Sequence, residues 1–478
     1  MKPFLITTPI YYVNDVPHVG HAYTTIAADT LARFWRARER DVFLLTGTDE
    51  HGAKIEEAAR KKNSDPKAFV DERAAAFRGA WDRLGIQYDG FIRTTDPKHK
   101  AVVQKVLQQL FDKGLIQKGV YDGLYCVACE QYKTPGDLVN GLCPDHKRKP
   151  EVMKEETYLF LLSRFQDRLI NVITSGELSI EPLERRNEML GFLTSQKLQD
   201  ISISRARVKW GVPFPFDPSH TTYVWVDAFF NYLTGIGWEG DPKKLPGQWP
   251  ADLHLVGKDI LRVHATIWPA LLTALDIPLP KKIFAHGYFT IAGVKMSKSL
   301  GNALDPINLS DEFSNDALRF YLLSEIPFGQ DGDVSVEGLK KRYTSDLANG
   351  LGNLLSRTEM MIEKFCGGLI PDKVSPHDAL LDVDKLIENL QFHEAVKRIW
   401  KAVGWANLYI DENKPWALAK AGEQKKINTV LSGVASQVIE IAKKLSPIMP
   451  ETSQKILARI TAEKITRGEP LFPRLRPA

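Results

Sequence analysis

The chain has 478 residues, of which 44% are hydrophobic and 26% are charged, so it is long enough to form about three globular domains. Its formal charge of +4 is too small to indicate a nucleic-acid partner by itself. Four cysteines are too few for a disulfide framework, and the sequence has no apolar run of about eighteen residues that would span a membrane. We therefore expect a cytoplasmic protein, without a cleavable presequence because the first residues lead directly into a predicted strand.

The first predicted elements are a strand over residues 4–12 and, after a turn, a helix that begins near residue 18. His18 and His21 therefore lie at a helix N-terminus. There, backbone N–H groups and the positive end of the helix dipole favour the binding of phosphate. On its own, the tetrapeptide HVGH is weak evidence, because an ordinary loop often contains such a sequence.

A second buried strand is predicted over residues 41–46, and the sequence GTDEHG follows it. Strand, helix and strand in this order predict a parallel sheet, which binds ligands at the carboxyl ends of its strands. We expect Tyr12 and Asp49 to end neighbouring strands. Asp49 is a candidate for binding a substrate ammonium group; the alternative is that it caps the next helix.

A cluster of metal-binding residue types then interrupts the predicted sheet. Cys126 and Cys129 form a CxxC turn, and Cys143 and His146 follow in the same segment. Four soft ligands with this spacing can close a tetrahedron around zinc, whereas a chance group of thiols is the alternative. Because protein side chains would fill all four positions, we expect a structural zinc rather than a catalytic one.

Two aromatic segments follow, at residues 223–232 and 253–268. Their spacing predicts two amphipathic helices with buried aromatic faces, and the same faces are suited to form an apolar pocket for a ligand side chain. His264 is the polar member and needs a hydrogen-bond partner, while Asp259 is suited to accept hydrogen bonds from ribose hydroxyls. The residues at helical spacing are Trp225, Ala228, Phe229 and Tyr232 in the first segment, and Ile260, His264 and Trp268 in the second.

The sequence KMSKS at residues 295–299 is predicted to form a small cationic loop after a predicted strand and turn at residues 284–293. Lys295 and Lys298 are either solvated or fold over a polyphosphate, where they would neutralise the charge that develops as it leaves. From residue 347 onward, every predicted element is a helix. We therefore place a domain boundary near residue 346.

The motifs PHVGH and KMSKS, in this order, resemble the HIGH and KMSKS signatures of class I aminoacyl-tRNA synthetases. Together with TTPIYYVND, GTDEHG, the cysteine segment, YVWVDA, VGKDI and KMSKSLGN, they resemble the methionyl-tRNA synthetases of the form with a single zinc knuckle. The resemblance implies an α/β fold. A Rossmann-like parallel-sheet catalytic domain (residues 1–115 and 186–345) would be split by a zinc-binding insertion (116–185). An all-α anticodon-binding bundle (346–478) would follow it.

The implied reaction is ATP-dependent activation of L-methionine to methionyl-adenylate, with Mg²⁺ accompanying ATP, and transfer of the methionyl group to tRNA(Met). Asp49 would bind the methionine ammonium group. The resemblance assigns ATP binding and catalysis to His18, His21, Lys295 and Lys298, and adenosine binding to Gly257 and Asp259. It assigns binding of the methionine side chain to Tyr12, Trp225, Ala228, Tyr232, Ile260, His264 and Trp268. It assigns recognition of the tRNA anticodon to Asn353, Arg357 and Trp416.

Two alternatives stay open from the sequence. Another class I synthetase, for cysteine or a branched-chain amino acid, is disfavoured because the insertion is too short for an editing domain and a closed zinc site cannot bind a substrate thiol. A non-catalytic, synthetase-like RNA-binding protein is disfavoured by the intact histidine and lysine motifs. Because the chain ends shortly after the helical domain, we expect a monomer.

Overall fold

The computed structural model describes residues 2–126, 131–133, 135–144, 147–291, 294–295, 303–370 and 380–475. The chain forms two compact units. The first contains Met1–Val16, Val42–Gly79 and Tyr88–Ala285, and the second contains Pro17–Asp41, Ala80–Gln87 and His286–Ala478. No helix among the described residues is long and apolar enough to cross a membrane.

The described strands are β1 (Phe4–Thr7), β2 (Tyr11–Tyr12), β3 (Val42–Asp49), β4 (Gly90–Arg93), β5 (Ile116–Cys126), β6 (Gln131–Lys133), β7 (Glu151–Phe160), β8 (Ser179–Glu181), β9 (Ile201–Ser202), β10 (Ser204–Arg205), β11 (Thr221–Thr222), β12 (Leu253–Gly257), β13 (Lys282–His286), β14 (Phe289–Ile291), β15 (Val294–Lys295) and β16 (Gly332–Asp333).

The described α-helices are α1 (Val19–Arg36), α2 (Ala53–Lys61), α3 (Pro66–Arg83), α4 (Pro97–Asp112), α5 (Gln166–Ser175), α6 (Leu183–Ser195), α7 (Val224–Phe229), α8 (Asn231–Thr234), α9 (Leu261–Ala274), α10 (Pro306–Phe313), α11 (Asn315–Ser324), α12 (Val336–Arg342), α13 (Asn353–Cys366), α14 (Val383–Glu388), α15 (Phe392–Asn413), α16 (Pro415–Lys420), α17 (Gln424–Leu445) and α18 (Pro450–Ile460).

The first unit is built on a seven-stranded sheet in the order β2-β3-β1-β12-β13-β8, with β4 also paired to β3. The pairings of β3 with β1, β2 and β4, of β1 with β12, and of β13 with β8 are all parallel. This confirms the predicted α/β fold with a parallel sheet. The pairing of β3 with β4 requires Gly47, because a Cβ atom there would lie 2.1 Å from the carbonyl oxygen of Ile92.

The predicted strand over residues 4–12 is in fact two strands, β1 and β2. Pro9 lies between them, and proline has no N–H group to donate to a neighbouring strand. The strand predicted over residues 41–46 continues as β3 to Asp49, because β2 and β4 pair with its last residues. Tyr12 pairs directly with Asp49. The prediction that these two residues end neighbouring strands is therefore confirmed.

The cysteine segment belongs to a separate antiparallel sheet of the first unit, in the order β6-β5-β7-β9. β5 and β7 form a long ladder that runs from Ile116 opposite Phe160 to Tyr125 opposite Glu151. Cys126 is the last residue of β5, at the end from which the cysteine segment continues.

The first aromatic segment is not the single helix that its spacing predicted. It forms two short helices, α7 and α8, which meet at Phe230. The second segment forms β12, a short 3₁₀ turn over Lys258–Ile260, and α9, so Ile260 precedes the helix instead of lying within it. Periodicity alone could not locate these breaks, because residues on both sides of each break face the same core.

The second unit contains α1 and a helical bundle in which α15 packs against α11 and α17, and α17 packs against α13, α16 and α18. A π-helical segment, Tyr343–Gly352, joins α12 to α13, so the boundary predicted near residue 346 lies inside a helical run. Within the described residues 334–475, every assigned element is helical, as the sequence predicted.

A buried arginine connects α1 to the bundle inside the second unit. Arg319 on α11 is only 1% exposed. Its guanidinium donates to Asp29 at 2.6 Å and Thr30 at 3.0 Å on α1, and to the carbonyl oxygens of Pro447 at 3.0 Å and Ile448 at 2.8 Å. Because the buried charge is both paired and hydrogen-bonded, it is tolerated in the interior and orients α1 in the bundle.

Candidate active site

The turn after β3 is fixed by a fully buried carboxylate. Glu50 is 0% exposed. Its side chain accepts hydrogen bonds from Thr48 Oγ1 at 2.6 Å, from Arg93 at 2.7 and 2.8 Å, and from the hydroxyl of Thr95. A buried carboxylate is stable only when it is paired in this way. The network therefore holds the end of β3 in one conformation.

The backbone of the same turn is also paired. The Glu50 N–H donates to Thr94 Oγ1 at 2.9 Å, and the Glu50 carbonyl accepts from the indole of Trp210 at 2.6 Å. The Gly52 N–H donates to the Trp210 carbonyl at 3.1 Å, and the Val13 N–H donates to the Asp49 carbonyl at 3.3 Å. These bonds leave Asp49 on a backbone that is rigid before any ligand binds.

Asp49 itself is a buried carboxylate, 8% exposed, at the carboxyl end of β3. It does not cap α2, since the N-cap residue of that helix is Gly52 and no side chain caps it. The helix-cap alternative is therefore wrong.

Beside Asp49, the Tyr12 hydroxyl donates to the His51 carbonyl at 3.0 Å. This places a carboxylate and a fixed aromatic ring together at the sheet edge where ligands bind.

The predicted pocket for an apolar side chain is centred on a buried tyrosine and histidine. His264 Nδ1 lies 2.8 Å from the Ile260 carbonyl, and His264 Nε2 lies 2.8 Å from the Tyr232 hydroxyl. The carbonyl can only accept, so Nδ1 carries the proton and Nε2 accepts from Tyr232. Burial lowers the pKa of His264 to about 4 and raises the pKa of Tyr232, so both side chains are neutral at physiological pH.

Aromatic rings surround this pair. Phe229 stacks on Trp268 with ring centroids 5.7 Å apart and meets the His264 ring edge-on at 5.0 Å. Tyr232 lies 5.8 Å from Trp268, and Trp225 lies 6.0 Å from Phe229. Aromatic surfaces of this kind give polarizable contacts to a thioether. The structure thus brings together the predicted residues of both aromatic segments.

Sequence reasoning missed His254 on β12, which supports the same cluster. Its ring stacks on Tyr232 at 4.2 Å, its Nε2 accepts from the Trp268 indole at 3.2 Å, and its Nδ1 pairs with Thr7 Oγ1 at 2.7 Å. Burial places the pKa of His254 well below its ordinary value. The available signal was a histidine inside the apolar run LHLV, where a polar side chain needs partners.

The predicted adenosine-binding residues lie at the carboxyl end of the same strand. Gly257 is the last residue of β12, and Asp259 lies in the 3₁₀ turn that leads to α9. In a parallel sheet this end is where nucleotides bind. Both residues therefore lie at the ligand-binding edge of the sheet, and their role toward adenosine stays a prediction.

In the second unit, His18 and His21 lie at the start of α1, as the sequence predicted. They form a capping box there, so the backbone N–H groups of His18 and Gly20, which were expected to favour phosphate, are already paired with the two imidazoles. His18 Nδ1 accepts from the Gly20 N–H at 3.0 Å, and His21 Nδ1 accepts from the His18 N–H at 3.2 Å. The two rings stack with centroids 3.8 Å apart. Because each Nδ1 is an acceptor, each neutral ring carries its proton on Nε2, which is then a donor suited to phosphate oxygens.

The remaining predicted ATP-binding residues are the two lysines of the KMSKS motif. Lys295 lies in β15, which pairs with β14 in antiparallel fashion. Lys298 lies outside the described residues.

Two of the four predicted zinc ligands are described. Cys126 and Cys143 are both buried, at 2% and 0% exposure, while Cys129 and His146 lie outside the described residues. Within the described part of the chain, no three potential ligands cluster. One buried thiol ends β5 and the other lies between β6 and β7, and thiols are ligands that a closed zinc site uses.

The predicted anticodon-binding residues lie on α13 and α16 of the second unit. Asn353 is exposed at the start of α13, and Arg357, one turn later, pairs with Asp411. Trp416 follows Pro415 at the start of α16, and its side chain is 42% exposed. An exposed indole of this kind can stack on an unpaired base.

We predict that His264 titrates near pH 4, whereas an exposed histidine titrates at about 6.5. In the unfolded chain His264 would bind its proton near pH 6.5, well above the pH at which it does so in the folded protein. Its contribution to the free energy of unfolding is therefore complete above pH 6.5 and falls by about 3 kcal/mol as the pH drops to 4. NMR of ¹³C-labelled histidine, assigned with His264→Gln, measures the midpoint. A midpoint near 6.5 would contradict the burial of this imidazole in an apolar pocket.

Comparisons with known proteins agree with this geometry. A family model described as "tRNA synthetases class I (M)" matches residues 4–149 and 133–359, and one described as "Anticodon-binding domain of tRNA ligase" matches residues 376–475. A methionine–tRNA ligase of Clostridium acetobutylicum is 45% identical, over 99% of this chain and 78% of that protein. A methionine–tRNA ligase of Streptomyces coelicolor is 42% identical, over 99% and 97% respectively.

Solved structures give the same result. The Mycobacterium tuberculosis methionyl-tRNA synthetase in complex with methionyl-adenylate has a TM-score of 0.91 and 38% identity, over 99% of this chain and 100% of that chain. The apo form of the M. tuberculosis enzyme has a TM-score of 0.82. The alternatives of a cysteine or branched-chain enzyme and of a non-catalytic protein are not favoured. From the near-complete match to methionine–tRNA ligases and the two family models, the chain belongs to the class I methionyl-tRNA synthetases.

Proposed function

We propose that the chain activates L-methionine with ATP and transfers the methionyl group to tRNA(Met), and that the buried pocket of the first unit selects methionine. The observation that carries this assignment is the neutral Tyr232–His264 pair set among aromatic rings. It provides polarizable walls without a charge, which suits an uncharged thioether. Asp49, at the end of β3, binds the ammonium group.

In the first step, a methionine carboxylate oxygen attacks the α-phosphate of ATP, and pyrophosphate leaves. This displacement depends on alignment and on stabilisation of charge rather than on a covalent bond to the protein. Asp49 and the aromatic residues hold methionine, while Gly257 and Asp259 hold the adenosine. His18 and His21 donate Nε2–H bonds to phosphate oxygens, and Lys295 and Lys298 neutralise the leaving pyrophosphate. Mg²⁺ enters with ATP.

In the second step, a ribose hydroxyl of the terminal adenosine of tRNA attacks the methionyl carbonyl, and AMP leaves. Asn353, Arg357 and Trp416 recognise the anticodon. The exposure of Trp416 supports this role, because a base must reach the indole face. Trp416 also lies within residues 376–475, which match the anticodon-binding family, whereas Asn353 and Arg357 precede that match.

Cys126, Cys129, Cys143 and His146 would hold one zinc ion in the insertion. Bound there, zinc supplies a structural cross-link, and no step of the reaction uses it. We also propose the division into a catalytic domain (1–115 and 186–345), an insertion (116–185) and an anticodon-binding domain (346–478). We further propose that the protein is a monomer and that it is cytoplasmic.

Replacing Lys298 by alanine should slow methionyl-adenylate formation by at least tenfold while changing methionine affinity less than about twofold, because the lysine acts on pyrophosphate and not on the amino acid. Pyrophosphate exchange gives the rate, and tryptophan fluorescence gives the affinity. Lys401→Ala, an exposed lysine on α15, is the control. Equal losses in rate and in affinity would refute the role.

Trp416→Ala should reduce tRNA aminoacylation by about 5- to 100-fold, the range that loss of one stacked base implies, and leave adenylate formation nearly unchanged. Leu381→Ala, another exposed apolar side chain of the second unit, serves as the control. If both reactions of Trp416→Ala fall equally, the side chain does not act through the anticodon.

Elemental analysis should find about one zinc per chain. Cys126→Ser should remove it, because serine is a poor zinc ligand, whereas Cys366→Ser should retain it, since Cys366 lies at the end of α13 outside the cysteine segment. Folded, active protein that contains no zinc would overturn the assignment.

A further inference from the structure

A further buried carboxylate, Asp227, lies in the first unit, and no role has been assigned to it. Asp227 on α7 is 0% exposed and stands in the chain between the predicted pocket residues Trp225 and Ala228. An ionised carboxylate at such a position must be compensated.

Two imidazoles compensate it. His51 Nδ1 lies 2.6 Å from one carboxylate oxygen of Asp227, and His99 Nε2 lies 2.8 Å from the other. Both histidines are buried. Burial would raise the pKa of Asp227, but the two imidazoles outweigh it and hold the pKa at about 2, so the carboxylate is ionised.

Each histidine connects the Asp227 carboxylate to a different element of the first unit. His51 belongs to the turn that carries Asp49, and its carbonyl accepts the Tyr12 hydroxyl at 3.0 Å. His99, on α4, pairs through Nδ1 with Thr234 Oγ1 on α8 at 2.8 Å. The carboxylate of Asp227 therefore connects the turn after β3 with α4, α7 and α8.

These elements carry the two ends of the proposed methionine pocket. Asp49, at the end of β3, would bind the ammonium end, whereas Trp225 and Ala228 on α7 and Tyr232 on α8 would bind the thioether end. A direct hydrogen bond from His51 to Asp227 limits how far the two ends can separate. Apolar side chains in place of this pair would often give the protein equal stability. They would not set the distance between the two elements through a directional hydrogen bond.

We propose that Asp227 is a positioning residue that fixes the length of the methionine pocket, and that the His51–Asp227–His99 network thereby discriminates methionine from amino acids with longer side chains. This inference rests on the proposed position of methionine. A pocket of fixed length distinguishes substrates that differ by one methylene by roughly 10- to 200-fold. A pocket whose two ends are no longer joined loses part of that discrimination.

The test compares methionine with ethionine, which is one methylene longer, in ATP–pyrophosphate exchange by the full chain. Asp227→Asn removes the charge at nearly constant volume. We expect KM for methionine to rise about tenfold, KM for ATP to stay within about twofold, and the methionine-to-ethionine ratio of kcat/KM to fall at least fivefold. Asp252→Asn is the matched control, a buried carboxylate of the same unit that accepts from the Leu5 N–H at 3.0 Å. It should leave the ratio unchanged.

A second pair of variants keeps the test valid if Asp227→Asn does not fold. The amide nitrogen of asparagine can replace Nδ1 as a donor, so His51→Asn should retain the ratio, whereas His51→Leu should lower it. A ratio that stays at the wild-type value in Asp227→Asn and His51→Leu overturns the inference, even if both variants are less stable. Wild-type protein that shows no exchange with methionine would instead refute the proposed function itself.

Discussion

The structure of the candidate site depends on one constraint, the need to pair every buried polar group in the turn after β3. Glu50 cannot be buried without the guanidinium of Arg93, and the backbone of the turn is satisfied by Thr94 and Trp210. These bonds fix the turn before substrate arrives. The turn therefore holds Asp49 at the end of β3 and His51 against Asp227 in set positions.

A second constraint is the control of charge. In the first unit, burial keeps His264 and His254 neutral, so the aromatic cluster presents no cation to a thioether. In the second unit, the capping box at the start of α1 uses Nδ1 of both His18 and His21 as an acceptor and thereby assigns the protons to Nε2. The same residue type thus serves two purposes: burial keeps the ring uncharged in the first unit, and backbone hydrogen bonds select the tautomer at the start of α1 in the second.

The sequence predicts much of this arrangement, because the apolar pattern of each segment and the order of strands and helices indicate the same fold. Apolar runs and a helical period predicted the parallel sheet, which in turn predicted that Tyr12 and Asp49 are neighbours. The break between α7 and α8 was not predictable, since the period continues through Phe230. Asp227 and His254 were missed because their partners are distant in the chain, and only tertiary structure brings such groups together.

The most direct test of the central claim is amino-acid-dependent ATP–pyrophosphate exchange by the wild-type chain, with methionine, cysteine, valine, isoleucine and leucine supplied separately. The assay needs no tRNA and requires the phosphate motifs and the amino-acid pocket to act together. A neutral aromatic pocket with Asp49 at one end predicts exchange with methionine and at most trace exchange with the others. Comparable exchange with a branched-chain amino acid or with cysteine would contradict the account of the pocket.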